Sequence, residues 1–141
     1  MRLLGIAAVL MALTDCRAGD GASPPAAPER PQRLERTWTG QPVRMPSQVE
    51  LLQFTLTLQP GARLPVHRHP YPRIGEVLSG TIRVVQSSTG RSRLFGTGET
   101  IVESIDDDHY GEVVGDAPVV LRVRDHVPPG VTSNTILHEA G

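Results

Sequence analysis

Hydrophobic and polar residues alternate in several short segments of the chain. In VELLQFTLTL, residues 49–58, every second position from Leu52 to Leu58 is apolar, and the positions between them are Gln or Thr. The segment VVLRVRD, residues 119–125, repeats this period of two, which is typical of a strand with one face on the protein core. No segment of ten or more residues has helical spacing, so the pattern predicts an all-β protein.

Turn-forming residues separate these segments. The chain has 13 prolines and 14 glycines among its 141 residues, and many of them lie between the alternating runs. Eight or nine short strands broken in this way are typical of an antiparallel sandwich or barrel. The predicted strands are LERTWT around Trp38, residues 49–58, a strand that starts at Arg73, and residues 81–86, 91–95, 100–103, 109–114 and 119–125.

The N-terminal sequence predicts export. Arg2 precedes the apolar run LLGIAAVLMAL, residues 3–13, which is too short to span a bilayer and has the length of a secretory signal. The single cysteine, Cys16, follows in the sequence LTDC, which resembles a bacterial lipobox except that Asp15 replaces the usual small residue. We therefore predict a signal peptide over residues 1–16, lipidation of Cys16, and a periplasmic or membrane-anchored location. The alternatives are a soluble exported protein that is cleaved further along and an uncleaved buried helix.

The rest of the chain divides into a linker and one domain. Residues 17–32, RAGDGASPPAAPERPQ, have no apolar period and a composition typical of a semi-extended tether. Residues 33–141 have the length of a single globular domain, and 38 % of the whole chain is hydrophobic. A net charge of -1 without a basic run excludes the electrostatic signature of a nucleic-acid-binding protein. Contact with a membrane is expected only through the lipid on Cys16.

The candidate chemistry lies in HRHPYPRIGEVLSG, residues 67–80. His67 and His69 are separated by one residue, so both imidazoles leave the same face of an extended backbone. Two such rings bind one divalent metal ion if further ligands reach it from elsewhere in the fold. The pair alone is equally compatible with two polar residues on a strand face, and the surrounding residues must decide.

Those surroundings resemble a known family. Gly61, His67, His69, Arg73 and Gly80 match the first motif of the cupin superfamily, G-x5-H-x-H-x3,4-E-x6-G, in every spacing and in every residue but one. The resemblance implies a jelly-roll barrel of short antiparallel strands, which agrees with the strand count.

The second cupin motif, G-x5-P-x-G-x2-H-x3-N, has a partial counterpart in residues 98–113. Gly98 precedes His109 by the eleven positions of the motif. Ser104, Asp106 and Val113 stand where the family has Pro, Gly and Asn. The first motif therefore carries most of the resemblance.

The resemblance also implies a metal site. Cupins hold one metal ion with three histidines and a glutamate, and the matching positions here are His67, His69 and His109. The expected cofactor is a divalent ion, Zn, Fe, Mn, Cu or Ni. Arg73 occupies the glutamate position, and a guanidinium cannot coordinate a metal.

Because Arg73 replaces the glutamate of the motif, we consider which other carboxylate could bind the metal and what Arg73 itself could bind. Glu76 is the nearest carboxylate, but its parity places it on the opposite strand face from Arg73. We expect Arg73 to bind a small anionic ligand, a carboxylate that bridges the guanidinium and the metal. The alternative is that Arg73 turns outward and the histidines line a metal-free pocket.

These observations predict an exported cupin-domain protein that binds a metal through three histidines and a small organic acid. If it is an enzyme, the metal serves as a Lewis acid or in oxygen chemistry, as in an oxygenase or isomerase. The alternatives are a non-catalytic, metal-free small-molecule-binding cupin and a structural lipoprotein of the cell envelope. The sequence does not decide between catalysis and binding. Cupin domains often pair, so a homodimer is one expectation.

Overall fold

A computed structural model describes residues 30–138, which form nine strands and contain no helix. The predicted signal segment, Cys16 and most of the linker lie outside these residues. Between Arg30 and His138 no helix has the length and hydrophobicity needed to cross a membrane. The strands are β1 Glu50–Leu58, β2 His67–Arg68, β3 Arg73–Ser79, β4 Thr81–Gln86, β5 Ser92–Gly96, β6 Thr100–Val102, β7 His109–Val113, β8 Val119–Val127 and β9 Ile136–Leu137.

The strands form two sheets, with orders β1-β8-β3-β6 and β5-β4-β7-β2-β9. The pairs of named strands are all antiparallel. Alternating residues of β8 are buried along its whole length, because β8 lies between β1 and β3. The architecture is the jelly roll expected from the sequence. The buried apolar core consists of Trp38, Leu58, Val77, Ile82, Val84, Phe95, Ile101, Val119, Leu121 and Val123.

The segment around Trp38 corrects one prediction, because it forms a turn instead of a strand. A single bridge joins Arg36 to Pro42, and Gly40 between them has a φ of 97°, a value that favours glycine. The side chain of Gln41 then bonds to both the N–H and the carbonyl of Ile105. The segment LERTWT is therefore part of a turn that is docked on the domain.

β1 follows its predicted period only in part. Leu58 is buried and Leu56 is half-buried, as the pattern predicts, but Phe54 is 43 % exposed. β1 is an edge strand, and Phe54 lies at the mouth of a cavity instead of against the opposite sheet. The apolar face of β1, which we predicted to lie against the core, thus also forms part of the wall of a cavity.

Candidate metal centre

Three histidines from separate parts of the chain meet inside the barrel. His67 begins β2 and is paired directly with His109, which begins β7, so both side chains lie on the same face of their sheet. His69 follows β2 and bridges Ile105. The centroid of the His67 ring lies 4.8 Å from that of His69 and 4.7 Å from that of His109, and the third separation is 4.9 Å. All three residues are buried.

Backbone carbonyls fix the orientation of each ring. Nδ1 of His67 lies 2.7 Å from the carbonyl oxygen of Pro65, Nδ1 of His69 lies 2.8 Å from that of Asn134, and Nδ1 of His109 lies 2.7 Å from that of Asp107. A carbonyl only accepts hydrogen bonds, so each Nδ1 carries a proton, and Nε2 is the nitrogen of each ring that can bind a metal. One ligand atom from each ring lies within 4.8 Å of the others. Metal-binding histidines are typically held by a hydrogen bond of this kind.

The environment keeps the imidazoles of His67 and His69 neutral. Burial lowers the pKa of His67, and the nearby His109 and Arg73 lower it further. Burial, followed by the charge of Arg73, lowers the pKa of His69 to about 2. Both rings are therefore unprotonated at neutral pH, the state that a metal ligand requires.

The turn before His109 explains why this histidine reaches the cluster although the second motif is incomplete. Asp106 stands where the family has glycine, and it adopts a φ of 51°, in the left-handed region that aspartate tolerates better than most residues. Its N–H donates to the carbonyl of His69, 2.9 Å away. The backbone shape of the motif is thus kept with a different residue.

Arg73 points inward, and most of its binding capacity is taken by one carboxylate. It lies opposite Asp125 across β3 and β8, with Nε 2.6 Å from Oδ1 and Nη2 2.8 Å from Oδ2. Asn134 donates a further hydrogen bond to Oδ1 of Asp125 at 3.0 Å. Only Nη1 of Arg73 faces the histidines, 3.4 Å from Nε2 of His69. The arginine therefore does not turn outward, and its predicted role in ligand binding is confined to Nη1.

The two candidate carboxylates have different positions. Glu76 lies on the outer face, as its parity predicts, with Oε2 3.1 Å from Nη1 of Arg122. Glu103, which the sequence reasoning missed, lies directly after β6 with Oε2 3.6 Å from Nε2 of His109. Burial raises the pKa of Glu103. Glu103 lies two positions after the buried Ile101, and residues two apart in an extended segment face the same side. This spacing could have indicated that the Glu103 side chain points inward.

An apolar cavity of about 160 Å³ opens beside the histidines. His67 and Arg73 form its polar end, and a neighbouring cavity of about 170 Å³ shares Arg73 and reaches Asp125. A small molecule in the first cavity would have carbon surface along its sides, with the guanidinium of Arg73 and the imidazole of His67 at one end. The other lining residues of the first cavity are Phe54, Leu56, Leu64, Pro65, Thr135 and Leu137.

Two antiparallel sheets around a buried three-histidine cluster define a double-stranded β-helix protein. The family model described as "Cupin domain" matches residues 54–124, and the chain belongs to the cupin family. No curated protein matches the sequence.

Solved structures share this fold. An uncharacterized conserved protein with a double-stranded β-helix domain from Klebsiella pneumoniae is 19 % identical, with a TM-score of 0.54 over 70 % of this chain and 76 % of its own. The DMSP lyase DddQ from Ruegeria pomeroyi is 20 % identical, with a TM-score of 0.53 over 62 % of this chain and 42 % of its own. These two likenesses concern the fold alone.

A recombinant oxalate oxidase in complex with glycolate is 25 % identical to this chain, with a TM-score of 0.51. The match covers 62 % of this chain and 45 % of the oxidase. The chain therefore spans less than half the length of the lyase and of the oxidase.

Proposed function

We propose that the protein is a metal-dependent cupin that binds a divalent ion through Nε2 of His67, His69 and His109, and a small organic acid in the adjoining cavity. The observation that carries this proposal is the set of three Nδ1-to-carbonyl hydrogen bonds, which turn the three Nε2 atoms toward one buried space. Nε2 of His69 also lies 3.4 Å from Nη1 of Arg73. Imidazole nitrogen suits zinc, iron, copper and nickel, with manganese favoured less by such a donor set. When bound, the ion would supply Lewis-acid chemistry or, as iron, oxygen chemistry.

Charge balance supports an anionic ligand. The Arg73–Asp125 pair is neutral as a unit because both oxygens of the carboxylate are used by the guanidinium. Imidazole ligands add no negative charge, so a divalent ion beside the single carboxylate of Glu103 leaves a positive excess. A carboxylate ligand offsets that excess. The 25 % identical oxalate oxidase structure contains glycolate, a small carboxylic acid, which supports the same class of ligand here.

Polar and apolar residues of the cavity would contact different parts of such a ligand. Nη1 of Arg73 is the guanidinium nitrogen that Asp125 leaves free, and it lies next to His69, where it donates one hydrogen bond to a ligand oxygen. Phe54, Leu64 and Leu137 cover the carbon skeleton and exclude water. The site thus favours a short acid with an apolar side over a highly polar ligand.

Metal content tests this function. The full chain, purified without a metal-binding tag after growth with several divalent metals, is expected to contain about one equivalent of metal by elemental analysis. Replacement of His69 by Ala should remove most of it. His138→Ala is the matched control, because that side chain is 58 % exposed and its Nδ1 lies 3.1 Å from Asp108 on the surface. Less than about a tenth of an equivalent in the unmodified protein would overturn the proposal.

A second candidate is a metal-free binding module, favoured by the contact between Nη1 of Arg73 and Nε2 of His69. In that state the guanidinium uses the lone pair that a metal would need. The two candidates differ in how they respond to a chelator. Glycolate binding that survives complete metal removal supports the module, and loss of binding that zinc restores supports the metal-dependent site.

We also propose that the domain is exported and anchored through Cys16. The support is the short apolar run before the cysteine and the linker after it, both read from the sequence. With such a tether, the metal site would act in the cell envelope.

A further inference from the structure

Three charged side chains form a row across the sheet β1-β8-β3-β6. Arg73 on β3 is paired with Asp125 on β8, and on its other side its carbonyl accepts the N–H of Glu103 at 3.0 Å. The register of β3 and β6 makes Glu103 the residue opposite Arg73. Side chains directly opposite in antiparallel strands share a face, so the barrel interior receives a carboxylate, a guanidinium and a carboxylate in sequence.

The two carboxylates of this row have different partners. Asp125 accepts two hydrogen bonds from Arg73 and one from Asn134, which accounts for the charge of the arginine. Arg73 makes its remaining side-chain hydrogen-bond contact with His69 and lies 5.5 Å from the centroid of the Phe54 ring. Glu103 is not paired with Arg73, and its carboxylate reaches the histidine cluster at His109.

Two buried acceptors meet at that point. Oε2 of Glu103 lies 3.6 Å from Nε2 of His109, and within the described part of the chain neither atom has a hydrogen-bond partner. Nδ1 of His109 donates to the carbonyl of Asp107, so in the neutral ring the lone pair lies on Nε2, on the side of the carboxylate. Buried acceptors without a donor are unfavourable, and a shared cation would satisfy both. Ligand oxygens and nitrogens lie about 2.0 to 2.2 Å from zinc, so both atoms are close enough to reach one ion.

We infer that Glu103 supplies the carboxylate ligand of the metal centre, from the end of β6, in place of the glutamate that Arg73 replaces on β3. The inference rests on the proposed metal function and identifies a ligand that the cupin motif does not include. The charges of Arg73 and Asp125 cancel each other. The net charge of the site is therefore the same as that of a site with three histidines and one carboxylate.

Metal affinity in matched variants tests this assignment. Zinc is titrated into the metal-free full chain against a chromophoric chelator. Glu103→Gln preserves side-chain size and is expected to weaken zinc binding by at least about tenfold. Glu76→Gln is the control, because Glu76 carries the same group on the outer face of β3, where it pairs with Arg122. Equal affinities of the unmodified protein and Glu103→Gln would overturn the inference.

A shorter carboxylate separates ligation from a general charge effect. Glu103→Asp keeps the charge but withdraws the oxygen by one methylene group. Ligation predicts weaker zinc binding and a changed visible spectrum of the cobalt-substituted protein, whereas a long-range charge effect predicts that both stay as in the unmodified chain. The latter result would overturn the inference.

The outcomes distinguish this inference from the proposed function. If the unmodified protein binds no zinc or cobalt, the proposed function fails. If it binds them and Glu103→Gln binds equally well, only the assignment of Glu103 fails. Thermal unfolding of each metal-free variant checks that the fold is intact, and a folded Glu103→Asp keeps the test decisive if Glu103→Gln does not fold.

Discussion

Arg73 and Asp125 lie opposite each other on β3 and β8 and form a buried ion pair with two hydrogen bonds, of 2.6 and 2.8 Å. The pair explains how the barrel tolerates a cation at a position where a cupin has a metal-binding carboxylate. Asp125, on the neighbouring strand β8, neutralises the charge of the guanidinium. The positive charge of Arg73 is therefore compatible with a metal ion bound nearby. Asp125 is thus as important to the proposed site as the arginine.

Removal of one partner should show this dependence. Asp125→Asn leaves a buried guanidinium without its counter-ion, and we expect the free energy of unfolding to fall by about 3 to 5 kcal/mol. Urea unfolding of the metal-free protein measures the change. Glu76→Gln, which breaks a half-exposed pair with Arg122, should cost less than about 1 kcal/mol. If the two variants have similar stability, the buried pair does not have this role.

The stability of the metal-free protein should depend on pH through His69. The folded protein keeps this ring neutral because burial and Arg73 lower its pKa to about 2, whereas the unfolded chain takes up a proton near 6.5. The unfolded state therefore binds more protons between these values, and stability falls as the pH drops below 6.5. The slope from His69 alone reaches about 1.4 kcal/mol per pH unit.

Urea unfolding between pH 5 and pH 8 measures that slope. Burial raises the pKa of Glu103, and the folded state then binds the extra proton, which acts in the opposite sense. The comparison is therefore clearest in the Glu103→Gln background. There, His69→Gln should reduce the pH dependence, and the lowered pKa of His67, which acts in the same sense, accounts for what remains. An unchanged slope would contradict the assignment to His69.

The sequence predicted the fold well because its signals are local. Alternation and turn residues place β4 at residues 81–86 without error, and β1, β5, β7 and β8 within two residues at each end. The prediction of a short strand around Trp38 was wrong, because six residues with only two apolar side chains cannot distinguish a strand from a turn that docks on the domain.

The residues of the site that belong to the motifs could be predicted from the sequence, and the residues that reach it through the pairing of distant strands could not. The geometry brings His67, His69 and His109 together as their spacing suggested, although metal ligation by them stays a prediction. Asp125 and Glu103 were missed because their roles depend on strand register: each lies opposite Arg73, more than 20 residues away in sequence. Strand pairing has no local signal in one sequence, and the parity of Glu103 with Ile101 indicates only the face on which its side chain lies.

Lipidation of Cys16 is a separate prediction. If the sequence LTDC acts as a lipobox, labelled palmitate should be incorporated in cells that express the full chain, and Cys16→Ser should abolish both the label and sedimentation with membranes. Asp15→Gly provides the matched comparison, because it restores a small residue before the cysteine and should be processed at least as completely. Labelling that persists in Cys16→Ser would contradict the assignment.

The wall of the cavity yields a prediction about ligand specificity. Phe54 and Leu51 both lie on β1 and are both exposed, but three positions apart they face opposite sides of the strand, and only Phe54 lines the cavity. Phe54→Asp places a negative charge beside the entering carboxylate and removes apolar contact, so glycolate binding to the zinc-loaded protein should weaken by about tenfold, or about 1.4 kcal/mol. Leu51→Asp adds the same charge on the other side and should leave the affinity within about twofold. Isothermal titration of both variants measures the difference, and equal losses would mean that the ligand does not enter past Phe54.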